Sequence, residues 1–268
     1  MSQTIFITGA SSGLGEATVN IFAKNGWNVF ATMRNPEQHT HFSKLANVHL
    51  LKLDVHDAGQ IAKVVAEAER ISPIDVLFNN AGYALAGPLE GMSDEQLEQQ
   101  ISTNFLGTLR LTRACLPGFR SRQAGIIINT TTLGAYIPNP MLAVYGATKA
   151  ALESWTEGMY FELVGFGIVM KTIIPGLMNT NFSQSAQLAA HPAYQDQVDK
   201  VLAAFSSAEA IASADNPADV AAVVYEAATD NKKQLHYFAG TDATTKSAWL
   251  EQEGKDAVIR ATEKLFFG

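Results

Sequence analysis

Thr8-Gly9-Ala10-Ser11-Ser12-Gly13-Leu14-Gly15 is the stretch that decides the fold. It follows Thr4-Ile5-Phe6-Ile7-Thr8, a short β-rich run, and precedes a helical pattern over residues 14–25. That pattern places Leu14, Ala17, Val19, Ile21, Phe22 and Ala23 at helical spacing and stops at Gly26. A strand that turns sharply into a helix needs glycine, which has no Cβ and tolerates positive φ. The helix start then offers free N–H groups and the positive end of its dipole to an anion. The spacing is Gly-x3-Gly-x-Gly rather than G-x-G-x-x-G, but the strand–turn–helix setting predicts that a nucleotide diphosphate binds here.

Working outward, apolar strands alternate with longer helical patterns. Strands are predicted at Asn28–Met33 and at 48–53, 74–78, 125–129, 168–174 and 235–239. Helices are predicted at 58–70, from the Ser93 cap to about Leu116–Pro117, at 145–164 and at 217–228. Continuous apolar strands such as Gly125-Ile126-Ile127-Ile128 fit burial on both faces. The expectation is an α/β fold: one doubly wound, Rossmann-type domain over residues 1–268, with about seven parallel strands and helices on both faces. Residues 181–215 break the rhythm and are read as a substrate-binding loop segment.

Hydrophobic residues make up 47% of the 268-residue chain and charged residues only 17%, against about 25% in an ordinary domain. With 26 acids and 19 bases the net charge is −7. An acidic chain without basic clusters argues against nucleic acid or an anionic membrane as partner. Residues 123–148 and 172–195 contain no Asp, Glu, Lys or Arg, yet carry too many polar residues and prolines to span a bilayer. The first residues show no basic region and no long apolar core, so a cytoplasmic location is expected. Cys115 is the single cysteine and the six histidines lack metal-ligand spacing; no metal is expected.

Thr8–Gly15 resembles the TGxxxGxG motif of the short-chain dehydrogenases/reductases. Asn79-Asn80-Ala81-Gly82 is similar to the family's NNAG, Asn104 to its NxxG asparagine, Tyr145 and Lys149 to YxxxK, and Pro175-Gly176 with Thr180 to its PG…T segment. The motifs occur in the family's order over 4–180 and match more loosely beyond. The resemblance implies a dinucleotide held by Gly9, Ser11, Ser12, Gly13, Leu14 and Gly15, by Asp54 and Val55 at the adenine, by Asn80, Ala81 and Gly82, and by Pro175, Gly176 and Thr180 near the nicotinamide.

Tyr145 and Lys149 stand four residues apart and share a helix face. A nearby ammonium and an oxidised nicotinamide both favour the phenolate, so Tyr145 is expected to exchange a proton with an alcohol/carbonyl pair while the nicotinamide exchanges the hydride. Lys149 is implied to hold the ribose hydroxyls as well, and Asn104 a water that links Lys149 to solvent. The family's catalytic serine is a threonine here. The usual spacing back from Tyr145 reaches Thr132, and Thr131 lies one residue off. Threonine keeps a hydroxyl for the substrate oxygen, and its methyl narrows the site.

NAD-preferring relatives end the second strand with an acid; this chain has Met33 and then Arg34, whose guanidinium can pair with a 2′-phosphate. NADP(H) is therefore expected, ahead of NAD. The substrate is expected to be a neutral, partly apolar ketone or secondary alcohol beside Tyr136, Met141, Leu142 and Phe182, since 181–215 offers no basic residue before Lys200. The helix after Tyr145 often pairs subunits in the family, which implies a homodimer or tetramer. Two other readings are weighed: a non-catalytic NADP-binding sensor on the same fold, and an epimerase or dehydratase, whose chains are usually longer.

Overall fold

The computed structural model of the protein describes residues 2–180, 182 and 185–268; Asn181, Ser183 and Gln184 of the expected substrate segment lie outside them. In chain order the elements are β1 (Thr4–Thr8), α1 (Gly13–Lys24), β2 (Asn28–Met33), β3 (Val48–Lys52), α2 (Ala58–Ile71), β4 (Val76–Asn79), β5 (Leu85–Ala86), α3 (Asp94–Ile101), α4 (Gly107–Arg122), β6 (Gly125–Thr130) and α5 (Ala143–Leu163). They continue with β7 (Ile168–Pro175), β8 (Gln187–Leu188), α6 (Gln195–Phe205), α7 (Ala208–Ser213), α8 (Pro217–Thr229), β9 (His236–Ala239), α9 (Thr241–Glu253) and α10 (Lys255–Phe267). Seven strands form one parallel sheet in the order β3-β2-β1-β4-β6-β7-β9. The chain reverses direction across the sheet between β1 and β4, the switch point where open α/β sheets bind ligands at their carboxyl ends.

Alternation along the strands builds two cores. Ile5, Ile7, Val29 and Phe78 pack with Val19 and Phe22 of α1 and Val220 and Val224 of α8. Phe6, Phe30, Leu77 and Ile127 face the other way, onto Ile61 and Val65 of α2 and Leu111 and Phe119 of α4. Both faces are thus covered, as the unbroken apolar strands require. One buried charge crosses this packing. Lys171 of β7 donates to the Ala227 carbonyl at 2.6 Å, Asp230 Oδ1 at 2.6 Å and the Tyr237 hydroxyl at 3.0 Å, so all three of its protons are used.

The structure departs from the expected layout in three places. The helix expected to stop at about Leu116–Pro117 runs on to Arg122 and closes on Gln123 at φ 54°. An internal proline costs about 3 kcal/mol, and full burial of Phe119 two residues later contributes about 1.5–3 kcal/mol, which offsets most of it. The same helix is also interrupted: residues Ser102–Leu106 form a π turn between α3 and α4. The expected loop at 181–215 contains β8, α6 and α7, with β8 pairing in parallel to β5. The two C-terminal helices have no counterpart among the elements expected from sequence. No helix among the described residues is long and apolar enough to cross a membrane.

Candidate active site

Four strand ends meet at the switch point and position the segments that leave them. Thr8, Asn79, Thr130 and Pro175 close β1, β4, β6 and β7, so the glycine turn, Asn80–Tyr83, Thr131–Tyr145 and Gly176–Thr180 share one rim of the sheet. The glycine turn is tight. A Cβ at Gly15 would stand 2.1 Å from the Gly9 carbonyl oxygen, and Gly13, at φ +54°, backs onto Thr180 at 3.2 Å. Only glycine fits at position 15, and at Gly13 a side chain would sit at positive φ with its Cβ 3.2 Å from Thr180. Ser12 caps α1 but its side chain makes no cap bond, so its hydroxyl and the first N–H groups of the helix stay available to an anion.

Asn80 braces this turn rather than opening toward a ligand. Its Nδ2 donates to the carbonyls of Thr8 and Gly9 at 3.2 and 3.3 Å, and its Oδ1 accepts from the Thr130 hydroxyl at 3.2 Å. The Thr8 hydroxyl accepts the N–H groups of Asn80 and Ala81. Asp54 likewise spends one carboxylate oxygen on the His56 N–H at 3.0 Å. The neighbouring Val55 is buried, and Arg34 stands exposed directly beyond β2. The turn, the helix start and Arg34 together fit a dinucleotide carrying a 2′-phosphate.

On the other side of the cleft, three successive turns of α5 grip three successive threonines. Lys149 Nζ donates to the Thr130 carbonyl at 2.8 Å. Thr131 donates its hydroxyl to Glu153 and, at 3.2 Å, to the Ile173 carbonyl. Thr132 lies close enough to the Tyr145 hydroxyl to favour its ionised form. Of the two threonines left open by sequence spacing, Thr132 is the one that acts on the Tyr145 hydroxyl, while Thr131 is engaged by Glu153.

Burial is the largest influence on both reacting groups. It pushes the Tyr145 phenol up to about 12, opposed only by the Thr132 hydrogen bond. A phenolate at this place has to be favoured by charges, the ammonium and the oxidised nicotinamide, against that burial. Burial also pulls Lys149 down to about 8, with Glu153 working the other way. Asn104 lies in the π turn, where its Oδ1 accepts the Tyr83 N–H at 3.1 Å and its Nδ2 donates to the Tyr83 carbonyl at 2.9 Å. Gly82 separates it from Lys149: a Cβ there would stand 3.1 Å from Asn104 Oδ1 and 3.5 Å from Lys149 Nζ.

The expected substrate residues divide. The Phe182 ring stands 5.9 Å from that of Tyr145, and Leu142 with Tyr145 lines a hollow of about 320 Å³. Met141, at φ 62°, gives its carbonyl to the Gly87 N–H at 2.8 Å. Tyr136 is the correction: its ring packs on Phe238 at 5.6 Å and its hydroxyl lies 3.5 Å from His236 Nδ1, because the C-terminal segment covers that side. Three further residues, absent from the sequence-based expectation, join the neighbourhood. Lys255 of α10 reaches the hollow beside Leu142. Glu153 and His236 meet behind Lys149, with Glu157 completing the group, one donor atom each within 4.8 Å of one another. A polar residue every fourth position from Tyr145 to Glu157 was the available signal for the glutamates.

Residues 3–190 match the short chain dehydrogenase family. The chain belongs to that family. Among short-chain dehydrogenase relatives, it is 33% identical to an uncharacterised oxidoreductase of Schizosaccharomyces pombe, over 88% of this chain and 100% of that one. A solved short-chain dehydrogenase from Streptomyces avermitilis superposes with a TM-score of 0.82 at 30% identity, covering 96% of this chain and 97% of the other. The closed form of a serine dehydrogenase complexed with NADP+ gives a TM-score of 0.74 at 30% identity, covering 88% and 92%.

Proposed function

We propose that the protein is an NADP(H)-dependent oxidoreductase that interconverts a carbonyl and a secondary alcohol, with Tyr145 as the acid/base. One observation carries the reading: Tyr145 has Thr132 close enough to act on its hydroxyl and stands one helical turn from the buried Lys149, beside the glycine turn. Gly9, Ser11, Ser12, Gly13, Leu14 and Gly15 receive the diphosphate, Arg34 the 2′-phosphate, Asp54 and Val55 the adenine, and Lys149 the ribose hydroxyls. Ala81, Gly82, Pro175, Gly176 and Thr180 line the path to the nicotinamide. NADP(H), when bound, supplies or takes up the hydride. The serine dehydrogenase bound to NADP+ and the exposed Arg34 support this cofactor.

In the reducing direction Tyr145 starts as the phenol that burial favours and gives its proton to the carbonyl oxygen. Thr132 donates a hydrogen bond to the same oxygen and fixes its distance from the phenol. Lys149 places a positive charge near the tyrosinate that results, which favours its formation. Asn104 holds the π turn against the Tyr83 backbone and keeps that side of the lysine ordered. A neutral, partly apolar substrate suits Phe182, Leu142 and the uncharged stretch 172–195. A homo-oligomer through α5 is part of the reading; Phe161 on that helix is 78% exposed.

The test is Tyr145→Phe, assayed with NADPH over a panel of neutral ketones and aldehydes. Turnover should fall by about 10²–10⁴-fold while NADPH still binds by fluorescence. Undiminished turnover would remove the mechanism. Binding without turnover in the unaltered protein over the whole panel would favour a sensor.

A further inference from the structure

Glu153 is the buried charge near the site that the proposed reaction does not use. Its side chain is 7% exposed. One carboxylate oxygen accepts the Thr131 hydroxyl, and the other, Oε2, is buried without a hydrogen-bond partner. Leaving a charged oxygen dry and unbonded costs several kcal/mol unless nearby charges compensate. Two cationic groups are placed to do so. Lys149 is one turn earlier on α5, and His236 of β9 has Nδ1 3.4 Å from Oε2, close enough for an ion pair though off line for a hydrogen bond. The other groups facing this spot are Tyr136, Glu157, whose Oε1 is 3.4 Å from His236 Nε2, and Thr172, whose hydroxyl is 3.2 Å from His236 Nδ1. The imidazole presents one nitrogen to each carboxylate, which is the arrangement of a clamped imidazolium rather than of a chelate on a single nitrogen.

We propose that Glu153 is a positioning residue of the site: from one turn behind Lys149 it keeps an opposite charge beside the ammonium and pins the Thr131–Thr132 segment against α5, with His236 as its own counterion. Two independent facts converge on it. The i, i+4 spacing puts its carboxylate on the Lys149 face of the helix. Its bond to Thr131 sits between the Lys149–Thr130 and Tyr145–Thr132 contacts, so losing it loosens the middle of a three-point attachment. The effect on Lys149 is upward, against the downward pull of burial. A lysine that kept its burial but lost this carboxylate would be neutral over more of the working pH range.

The inference rests on Tyr145 and Lys149 being the reacting pair, and its test avoids turnover. Protein carrying ¹³C-labelled lysine is titrated by NMR, with the Lys149 signal assigned through its loss in Lys149→Arg. In the unaltered protein the Lys149 midpoint should lie at about 8, where burial pulls it. Glu153→Gln keeps an acceptor for Thr131 and removes the charge, and should lower that midpoint by about one pH unit. Glu153→Asp keeps the charge and should leave it within about 0.3 unit. His236→Gln, which leaves Glu153 itself intact, removes the competing cation and should raise the Lys149 midpoint by about half a unit. Should Glu153→Gln fail to fold, the histidine variant decides. An unmoved midpoint in Glu153→Gln, or a fall in His236→Gln, overturns the proposal. Failure of the broader mechanism shows separately, as undiminished turnover in Tyr145→Phe.

Discussion

Lys149 Nζ donates a 2.8 Å hydrogen bond to the carbonyl oxygen of Thr130, the last residue of β6. The bond ties the catalytic helix to the strand that leads into Thr132. It also spends one of three ammonium protons and leaves two for the contacts proposed with the cofactor ribose and Tyr145. Burial lowers this lysine to about 8, so its charge is present below that pH and lost above it. A step that depends on the ammonium should therefore decline as pH rises through about 8. A kcat profile that stays flat to well above that value would show that the charge is dispensable. Lys149→Met should abolish the alkaline limb and reduce kcat by about 10²–10⁴-fold.

The proposed reading gives Thr131 and Thr132 different roles. Thr132→Ala removes the hydroxyl bonded to Tyr145 and should lower kcat by about 10²–10³-fold, as expected for loss of one donor to a developing oxyanion. Thr132→Ser keeps the hydroxyl and should retain most activity. Thr131→Ala strips a buried partner from Glu153 and should cost about 1–3 kcal/mol of stability, measured by denaturant unfolding, with a smaller loss of kcat than Thr132→Ala. Equal kinetic losses at both positions would contradict the assignment.

Arg34 governs cofactor choice in this reading. NADPH should be preferred over NADH, and Arg34→Glu should reverse the order by removing a charge-assisted contact and adding repulsion. The kcat/KM for NADPH should fall about 10–100-fold, corresponding to about 1.5–3 kcal/mol. Equal or better use of NADH by the unaltered protein would eliminate this role.

The Lys171–Asp230–Tyr237 network predicts acid sensitivity unrelated to catalysis. Burial acts to raise Asp230, but hydrogen bonds from Lys171, Tyr237 and the Lys232 N–H outweigh it and hold the carboxyl below its usual range. A depressed carboxylate stabilises the fold above its unfolded-state value and loses that contribution as pH falls through the folded one. Asp230→Ala leaves Lys171 buried at 1% exposure without its ionic partner and should cost about 3–5 kcal/mol. Thermal unfolding between about pH 2 and pH 5 should then show a weaker acid dependence than in the unaltered protein; a parallel pH trend would rule the network out as its source.

Local sequence suffices for the parallel α/β architecture, the glycine turn and the Tyr145–Lys149 pair. Each depends on short-range physics: strand and helix periodicity, the missing Cβ of glycine, and the i, i+4 face of a helix. Local rules also misjudge one helix, since Pro117 stops a helix only where no buried side chain beyond it holds the next turn in place. Contacts between distant parts of the chain had to come from the packed fold. Packing turned Thr132 toward Tyr145 and Thr131 toward Glu153, spent Asn80 on the glycine turn, drew Tyr136 away to Phe238, and set His236 beside a carboxylate 83 positions earlier in the numbering. These choices depend on which buried polar atoms find partners once the sheet closes. That matching is a property of the packed interior, and no local pattern encodes it.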